Sequence, residues 1–129
     1  MSEGSILVVS NGPSIVRALQ ITLAAKGYEV TNTGDVCEAV ELSEARKHDL
    51  VLLDYEAAPA IEACRKIRAC SDVTIILMSA DYSHEKKTSA FLAGADAFIP
   101  KPFGMAEILA SVRKNMHKIR EGDETYQMN

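Results

Sequence analysis

Three residues whose side chains could together handle a phosphoryl group each follow a short apolar stretch of the sequence. They are Asp54, Ser79 and Lys101. A carboxylate can be the nucleophile that forms an acyl phosphate, a hydroxyl can donate to a phosphoryl oxygen, and an ammonium group neutralises the charge of the transferred group. Each residue alone also fits an ordinary turn, cap or loop. Their shared position at the ends of apolar stretches indicates a site for phosphoryl chemistry.

Alternating strand and helix patterns predict how these residues are positioned. Apolar or alternating stretches predict strands at 6–9, 28–33, 51–53, 73–78 and 97–99, and apolar residues spaced three and four apart predict a helix after each strand. Asp35 and Ser83 are suited to cap two of these helices. Short, fully apolar strands need cover on both faces. We therefore predict the α/β class, as a flavodoxin-like (βα)5 three-layer sandwich with a five-stranded parallel sheet of order 2-1-3-4-5.

The predicted strand order brings the chemically interesting residues to one edge of the sheet. The first, third, fourth and fifth strands are neighbours in this order, and ligands of open α/β sheets bind beyond the carboxyl ends of the strands. Ser10-Asn11, Asp54, Ser79 and Lys101 follow those four strands in turn. We expect them to line one polar crevice.

Length, charge and cysteine content narrow the class of protein. The chain has 129 residues, which suggests one domain, and its net charge of −4 argues against direct binding of nucleic acid. No apolar stretch approaches the roughly 20 residues of a membrane helix, and the first residues do not resemble a signal peptide. Cys37, Cys64 and Cys70 show no metal-ligand spacing. Free thiols fit a reducing compartment, so we expect a cytoplasmic protein without a membrane partner.

Three longer motifs resemble those of a known family, the receiver domains of two-component response regulators. They are His48–Asp54, Ile75–Ala80 and Gly94–Phe103, and the resemblance extends over about residues 5–120. It implies a receiver domain at 1–120, followed at 121–129 by a polar tail or the start of a linker. It also implies a signalling domain of a phosphorelay rather than an enzyme.

The resemblance assigns roles to individual residues. Asp54 matches the phosphoacceptor, Ser79 the hydroxyl that moves to contact the phosphoryl group, and Lys101 the lysine that pairs with it. Phe98 matches the aromatic residue that turns inward when the hydroxyl moves, so Ser79 and Phe98 form the implied switch. The small Ala80 matches the position that keeps the acceptor accessible.

Two departures from the family pattern concern its Mg²⁺ site. The family usually ends its first strand with two acidic residues, and here Ser10-Asn11 takes their place. We expect weak Mg²⁺ binding at most, with Asn11, Asp54 and the backbone carbonyl of Glu56 as ligands. The loop after Asp54 also lacks the family's glycine, so its shape should differ. Glu56 and Asp81 are acids that could restore charge, although solvent-exposed loop positions explain them more simply.

The resemblance implies a histidine kinase or phosphotransfer protein as the phosphoryl donor. The output would be a downstream effector protein or a fused output domain, and dimerisation through the last two helices is a further interpretation. An alternative is a degenerate pseudo-receiver that binds partners without phosphorylation. A third, a flavodoxin-like enzyme or cofactor binder, is disfavoured because no glycine-rich phosphate loop follows the first strand. With Ser10-Asn11 uncharged, we expect Asp54 to contact Lys101 directly.

Overall fold

Five strands and five helices alternate along the chain in a computed structural model that describes residues 3–45, 47–54, 60–80 and 83–128, with the backbone alone for 117–128. The strands are β1 (Gly4–Val9), β2 (Tyr28–Thr33), β3 (Leu50–Asp54), β4 (Thr74–Ser79) and β5 (Ala97–Pro100). The helices are α1 (Pro13–Ala25), α2 (Val36–Glu44), α3 (Ala60–Cys70), α4 (His84–Leu92) and α5 (Met105–Met128). Asp35 caps α2 and Ser83 caps α4, each accepting a backbone N–H through its side chain.

The five strands form one parallel sheet in the order β2-β1-β3-β4-β5, which confirms the predicted fold. Its register fixes the carboxyl edge. Val9 pairs with Leu53, so the residues after β1 lie beside the end of β3. Asp54 in turn pairs with Met78, one residue before the end of β4.

The side chains of the central strands alternate between two cores, one on each face of the sheet. On one face Val51 and Leu53 pack with residues of α2, α3 and α4. On the other face Leu50 and Leu52 pack with residues of α1 and α5. Because both faces are covered, strands of this sheet read as continuous apolar stretches. This arrangement is the predicted three-layer sandwich.

Arg68 links the end of α3 to the loop before β5. Its guanidinium donates to the carbonyl of Gly94 from Nε at 3.2 Å and from Nη2 at 2.8 Å, and to the carbonyl of Ser71 at 3.2 Å. Nη2 also contacts Asp96 Oδ2 at 2.8 Å, and that same oxygen accepts the backbone N–H of Ile75 at 2.9 Å. The fork therefore ties α3, the α4–β5 loop and β4 together.

Replacing this arginine tests the link. Arg68→Ala is expected to lower the free energy of unfolding by about 1–2 kcal/mol, because the carbonyl and carboxylate oxygens that it satisfies lose a charged donor. Arg65→Ala is the matched control, since Arg65 is exposed and its ion pair with Glu62 is 3.4 Å long. That control should change stability by less than about 0.5 kcal/mol. Urea unfolding of both variants measures the difference, and equal losses would contradict this role.

All three cysteines are free thiols. Cys37 is exposed, Cys70 is half-buried and Cys64 is buried. Burial raises the pKa of the Cys64 thiol from 9.0 to about 11, so this group stays neutral at physiological pH. Cys64 packs in the core between the sheet and its helices.

Helix α5 continues to Met128, beyond residue 120, where the sequence pattern places the end of the domain. The division into a domain at 1–120 and a tail or linker at 121–129 stays a prediction. None of the helices in the described ranges combines the length and apolar character of a membrane-spanning segment.

Candidate functional site

The carboxylate of Asp54 is the centre of a buried polar cluster at the carboxyl edge of the sheet. Only 5% of this residue is exposed. Lys101 Nζ donates to Asp54 Oδ1 at 2.7 Å, and Ser10 Oγ donates to Asp54 Oδ2 at 2.8 Å. A buried charge is costly unless it is paired and hydrogen-bonded. Here both carboxylate oxygens have a donor, one of them charged.

The side chain of Ser10 is oriented by a hydrogen bond with the backbone of a nearby residue. It lies one residue beyond β1, is 3% exposed, and its Oγ accepts the backbone N–H of Gly12 at 3.1 Å. That contact occupies a lone pair of the hydroxyl and leaves its proton directed at Asp54. The sequence places Ser10 in the same crevice as Asp54 but does not indicate a hydrogen bond between them. The signal for its role is the β1–β3 register, which places Ser10 beside Asp54.

Lys101 and Ser79 reach the cluster from adjacent strands. Ser79 ends β4 and is fully buried, and its carbonyl accepts the backbone N–H of Lys101 at 2.7 Å. The Lys101–Pro102 peptide bond is cis. The Lys101 side chain is 22% exposed, so the ammonium group lies at the boundary between the cluster and solvent. Lys101 thus contacts Asp54 directly, as the sequence predicts, and the backbone of Ser79 lies at the same edge of the sheet.

Phe98 lies on β5, two register positions before the pair of Ser79 with Pro100. It pairs with Leu77 in the β4–β5 register and is half-buried against the core on the α2–α4 face. Ala80, which follows Ser79, is exposed. Ala80 thus directly follows the end of β4 and Phe98 lies within β5, and their roles stay predictions.

Asn11 follows Ser10 in the chain and is exposed. Its side-chain oxygen lies against Gly34 in the β2–α2 loop, where an added Cβ would overlap it. Glu56 and Asp81, the other residues considered as sources of metal ligands or charge, lie outside the described residues.

Among the described residues, Asp54 and Asn11 are the sequence-predicted ligands for Mg²⁺. Mg²⁺ usually binds one or two carboxylates and keeps several waters. Here the single carboxylate of Asp54 already contacts an ammonium group and a hydroxyl, and the Asn11 oxygen is directed at Gly34. In the described ranges no three His, Cys, Asp or Glu side chains are grouped so that they could hold a metal ion. The donor set is that of an ion pair with a supporting hydroxyl.

Comparison with known families decides the class of this protein. The family model described as the response regulator receiver domain matches residues 6–113. The chain belongs to the response regulator receiver family. Its parallel sheet, its order of strands and its polar carboxyl edge are those of such a receiver domain.

Named relatives agree with this receiver assignment. The chain is 34% identical over 128 residues to the transcriptional regulatory protein YvrH of Bacillus subtilis, covering 97% of this chain and 54% of YvrH. It is also 34% identical over 125 residues to the DNA-binding response regulator MtrA of Mycolicibacterium smegmatis, covering 95% of this chain and 54% of MtrA. The chain spans about half the length of these relatives.

Solved structures share the receiver fold. A CheY-like response regulator receiver domain protein from Methanospirillum hungatei superposes with a TM-score of 0.85 at 23% identity, over 92% of this chain and 97% of that chain. The receiver domain of the sensor histidine kinase PA1611 from Pseudomonas aeruginosa superposes with a TM-score of 0.78 at 27% identity, over 88% and 98%. That second domain has a magnesium ion coordinated in its active site cleft.

Proposed function

We propose that this receiver domain takes a phosphoryl group onto Asp54 from a histidine kinase or phosphotransfer protein, in the cytoplasm, and passes the signal to a partner surface. The observation that carries the proposal is the buried Asp54 carboxylate held between Lys101 and Ser10. A structural domain does not need a buried carboxylate at this edge, and burying one costs stability.

Lys101 and Ser10 contact different oxygens of the Asp54 carboxylate, so each has its own role in the transfer. Asp54 Oδ1 attacks the phosphorus of the donor, the Oδ1–P bond forms, and the bond from phosphorus to the leaving group breaks with its electron pair on that group. Lys101 lies beside Oδ1 and neutralises charge on the transferred group. Oδ2 becomes the carbonyl oxygen of the acyl phosphate, and the Ser10 hydroxyl continues to donate to it.

The proposed switch uses the fully buried Ser79 and the half-buried Phe98. A phosphoryl group on Asp54 offers Ser79 a new acceptor, and a shift of the end of β4 alters the space beside β5. Phe98 would turn inward in response, which changes the surface near α4 and α5. An effector protein, or an output domain on a longer chain of the kind that the relatives' length suggests, would read that surface.

We further propose that Mg²⁺ contributes less to this site than to receivers with an acidic pair. Ser10 and Asn11 supply no negative charge, and Lys101 already compensates Asp54. A cation must compete with that ammonium group for the single carboxylate. Phosphorylation should therefore depend only weakly on Mg²⁺.

A second function, a pseudo-receiver that signals by binding alone, is favoured by one specific observation. Both oxygens of Asp54 are already hydrogen-bonded in the unphosphorylated protein. A site satisfied in this way could hold one conformation permanently and present one surface to a partner. The two functions differ in whether a phosphodonor reacts with the protein.

Incubation with acetyl phosphate separates these two functions. We expect the intact mass of the wild type to increase by one phosphoryl group, with a rate that changes less than about tenfold, or 1.4 kcal/mol, between MgCl₂ and a chelator. Asp54→Asn, which keeps the shape of the side chain, should gain nothing. Amide NMR spectra of the treated protein should show shifts that reach β5. A wild type that stays unmodified in both buffers would support the pseudo-receiver instead.

A further inference from the structure

A polar cleft of about 550 Å³ opens between α1 and β2, next to the Asp54 cluster. The two share Ser10, which lines the cleft and donates to Asp54. The described residues that line the cleft are Ser10, Asn11, Pro13, Val16, Arg17, Gln20, Asn32 and Gly34. Clefts of this volume are typical of small-molecule sites.

The charge on the described residues that line this cleft is positive. Arg17 is the only charged residue among the described residues that line it, and none of them is acidic. Asp54, which lies behind Ser10, has its charge compensated by Lys101 at 2.7 Å. The guanidinium of Arg17 therefore supplies the charge among the described lining residues, and that charge favours an anion.

Two donor side chains of the cleft, those of Arg17 and Gln20, are not used elsewhere among the described residues. Across the described residues, the side chains of Arg17 and Gln20 make no hydrogen bond or ion pair. Asn32 is fixed differently, because its Nδ2 donates to the carbonyl of Val8 at 3.0 Å. A guanidinium presents a planar fork that matches an oxyanion, and primary amides bind neutral polar groups. Arg17 and Gln20 thus offer complementary donors on adjacent turns of α1.

The sequence departure at the end of β1 explains why an anion fits here. Two carboxylates at positions 10 and 11, as the family pattern has them, would make this end of the cleft negative and repel an oxyanion. Ser10 and Asn11 remove that repulsion, and Asn11 adds an amide. The change that weakens a cation site is thus the change that an anion site requires.

We infer that the cleft binds a small organic oxyanion, which is a phosphate monoester or a carboxylate up to the size of a nucleotide. Arg17 holds the charged group, and the amides of Asn11 and Gln20 hold a neutral polar part of the same molecule. This inference goes beyond the phosphorylation of Asp54 and does not depend on it.

Titration of the metal-free, unphosphorylated protein at constant ionic strength tests the cleft. We expect inorganic phosphate and AMP to cause saturable amide NMR shifts at Gly12, Asn32 and Gly34, with AMP binding at least about tenfold more tightly because it also uses the amides. Titration with acetate tests whether the cleft also binds carboxylates. Saturable binding of acetate at the same residues would extend the class to carboxylates, whereas binding of the phosphates alone would assign phosphate monoesters.

Paired arginine variants show whether the site is specific. Arg17→Ala should weaken AMP binding at least about tenfold. Arg113→Ala, which removes the same charge from an exposed position on α5, should leave it within about twofold. Gln20→Glu places an acid in the cleft at an exposed position of α1 and should abolish binding. Equal losses for the two arginine variants, or shifts that are scattered and never saturate, would overturn the inference. That result would leave phosphorylation of Asp54 untouched.

Discussion

Lys101→Met is expected to lower the free energy of unfolding by about 2 kcal/mol. The reason is the carboxylate of Asp54, which is 5% exposed and would keep the Ser10 hydroxyl but lose its charged partner at 2.7 Å. Removing one member of a buried ion pair leaves a buried charge without compensation. The Lys101 side chain is 22% exposed, so water entering the gap limits the loss. Urea unfolding in metal-free buffer measures it.

A double-mutant cycle separates the ion pair from lost packing. Asp54→Asn removes the charge but keeps an oxygen that can accept from Ser10, so Asp54→Asn in the Lys101→Met background should recover most of the lost stability. Lys114→Met, at an exposed position on α5, is the matched control and should change stability by less than about 0.5 kcal/mol. If Lys101→Met resembles Lys114→Met, the ion pair does not hold the site together.

The double substitution Ser10→Asp and Asn11→Asp is expected to raise the affinity for Mg²⁺ by at least about 100-fold, or 2.8 kcal/mol. One pair of unit charges 4 Å apart contributes about 4 kcal/mol at an effective dielectric of about 20, and a dication doubles that value before desolvation is subtracted. The register places position 10 beside Asp54, so the new carboxylate there shares the cation with the existing one. Part of this gain in affinity is lost because the ammonium group of Lys101 must move away from Asp54 when the cation binds.

Unfolding as a function of MgCl₂ concentration measures this gain in affinity. Without metal, the double variant should be less stable than the wild type, since the new carboxylates repel Asp54. Its stability should then rise with MgCl₂, by about 1.4 kcal/mol for each tenfold increase once the site is populated. Ser10→Ala with Asn11→Ala alters the same positions without adding charge and should not respond. A wild type that responds as strongly as the acidic variant would show that the acidic pair is not what controls binding.

The fold follows from the sequence because its signals are local. Short apolar stretches such as Leu50–Leu53 favour strands covered on both faces, and the caps Asp35 and Ser83 mark where helices begin. The convergence of Asp54 with Lys101 follows from strand order alone. Predicting these features does not require knowledge of individual atomic contacts.

The hydrogen bond from Ser10 to Asp54 was missed because it depends on register. Whether Ser10 lies beside Asp54 or one residue away is decided by the pairing of Val9 with Leu53, which apolar patterns do not fix. The hydrogen bond from Arg68 to Gly94 was missed because it joins residues 26 positions apart in the sequence, and apolar patterns do not indicate such a contact.

The cleft was missed because its residues look ordinary in the sequence. Arg17 and Gln20 fall on the polar side of an amphipathic helix, where solvent exposure is the usual explanation. Only the position of β2 relative to α1 turns that side into the wall of a cleft, with Asn32 opposite.

Chemical trapping of the phosphorylated residue shows whether Asp54 accepts the phosphoryl group. After incubation with acetyl phosphate, borohydride reduces an aspartyl phosphate to homoserine and releases phosphate, and peptide mass spectrometry then locates the reduced residue. We expect homoserine at position 54 of the wild type and at no position of the Asp54→Asn variant. Reduction at another aspartate, or at none, would contradict it.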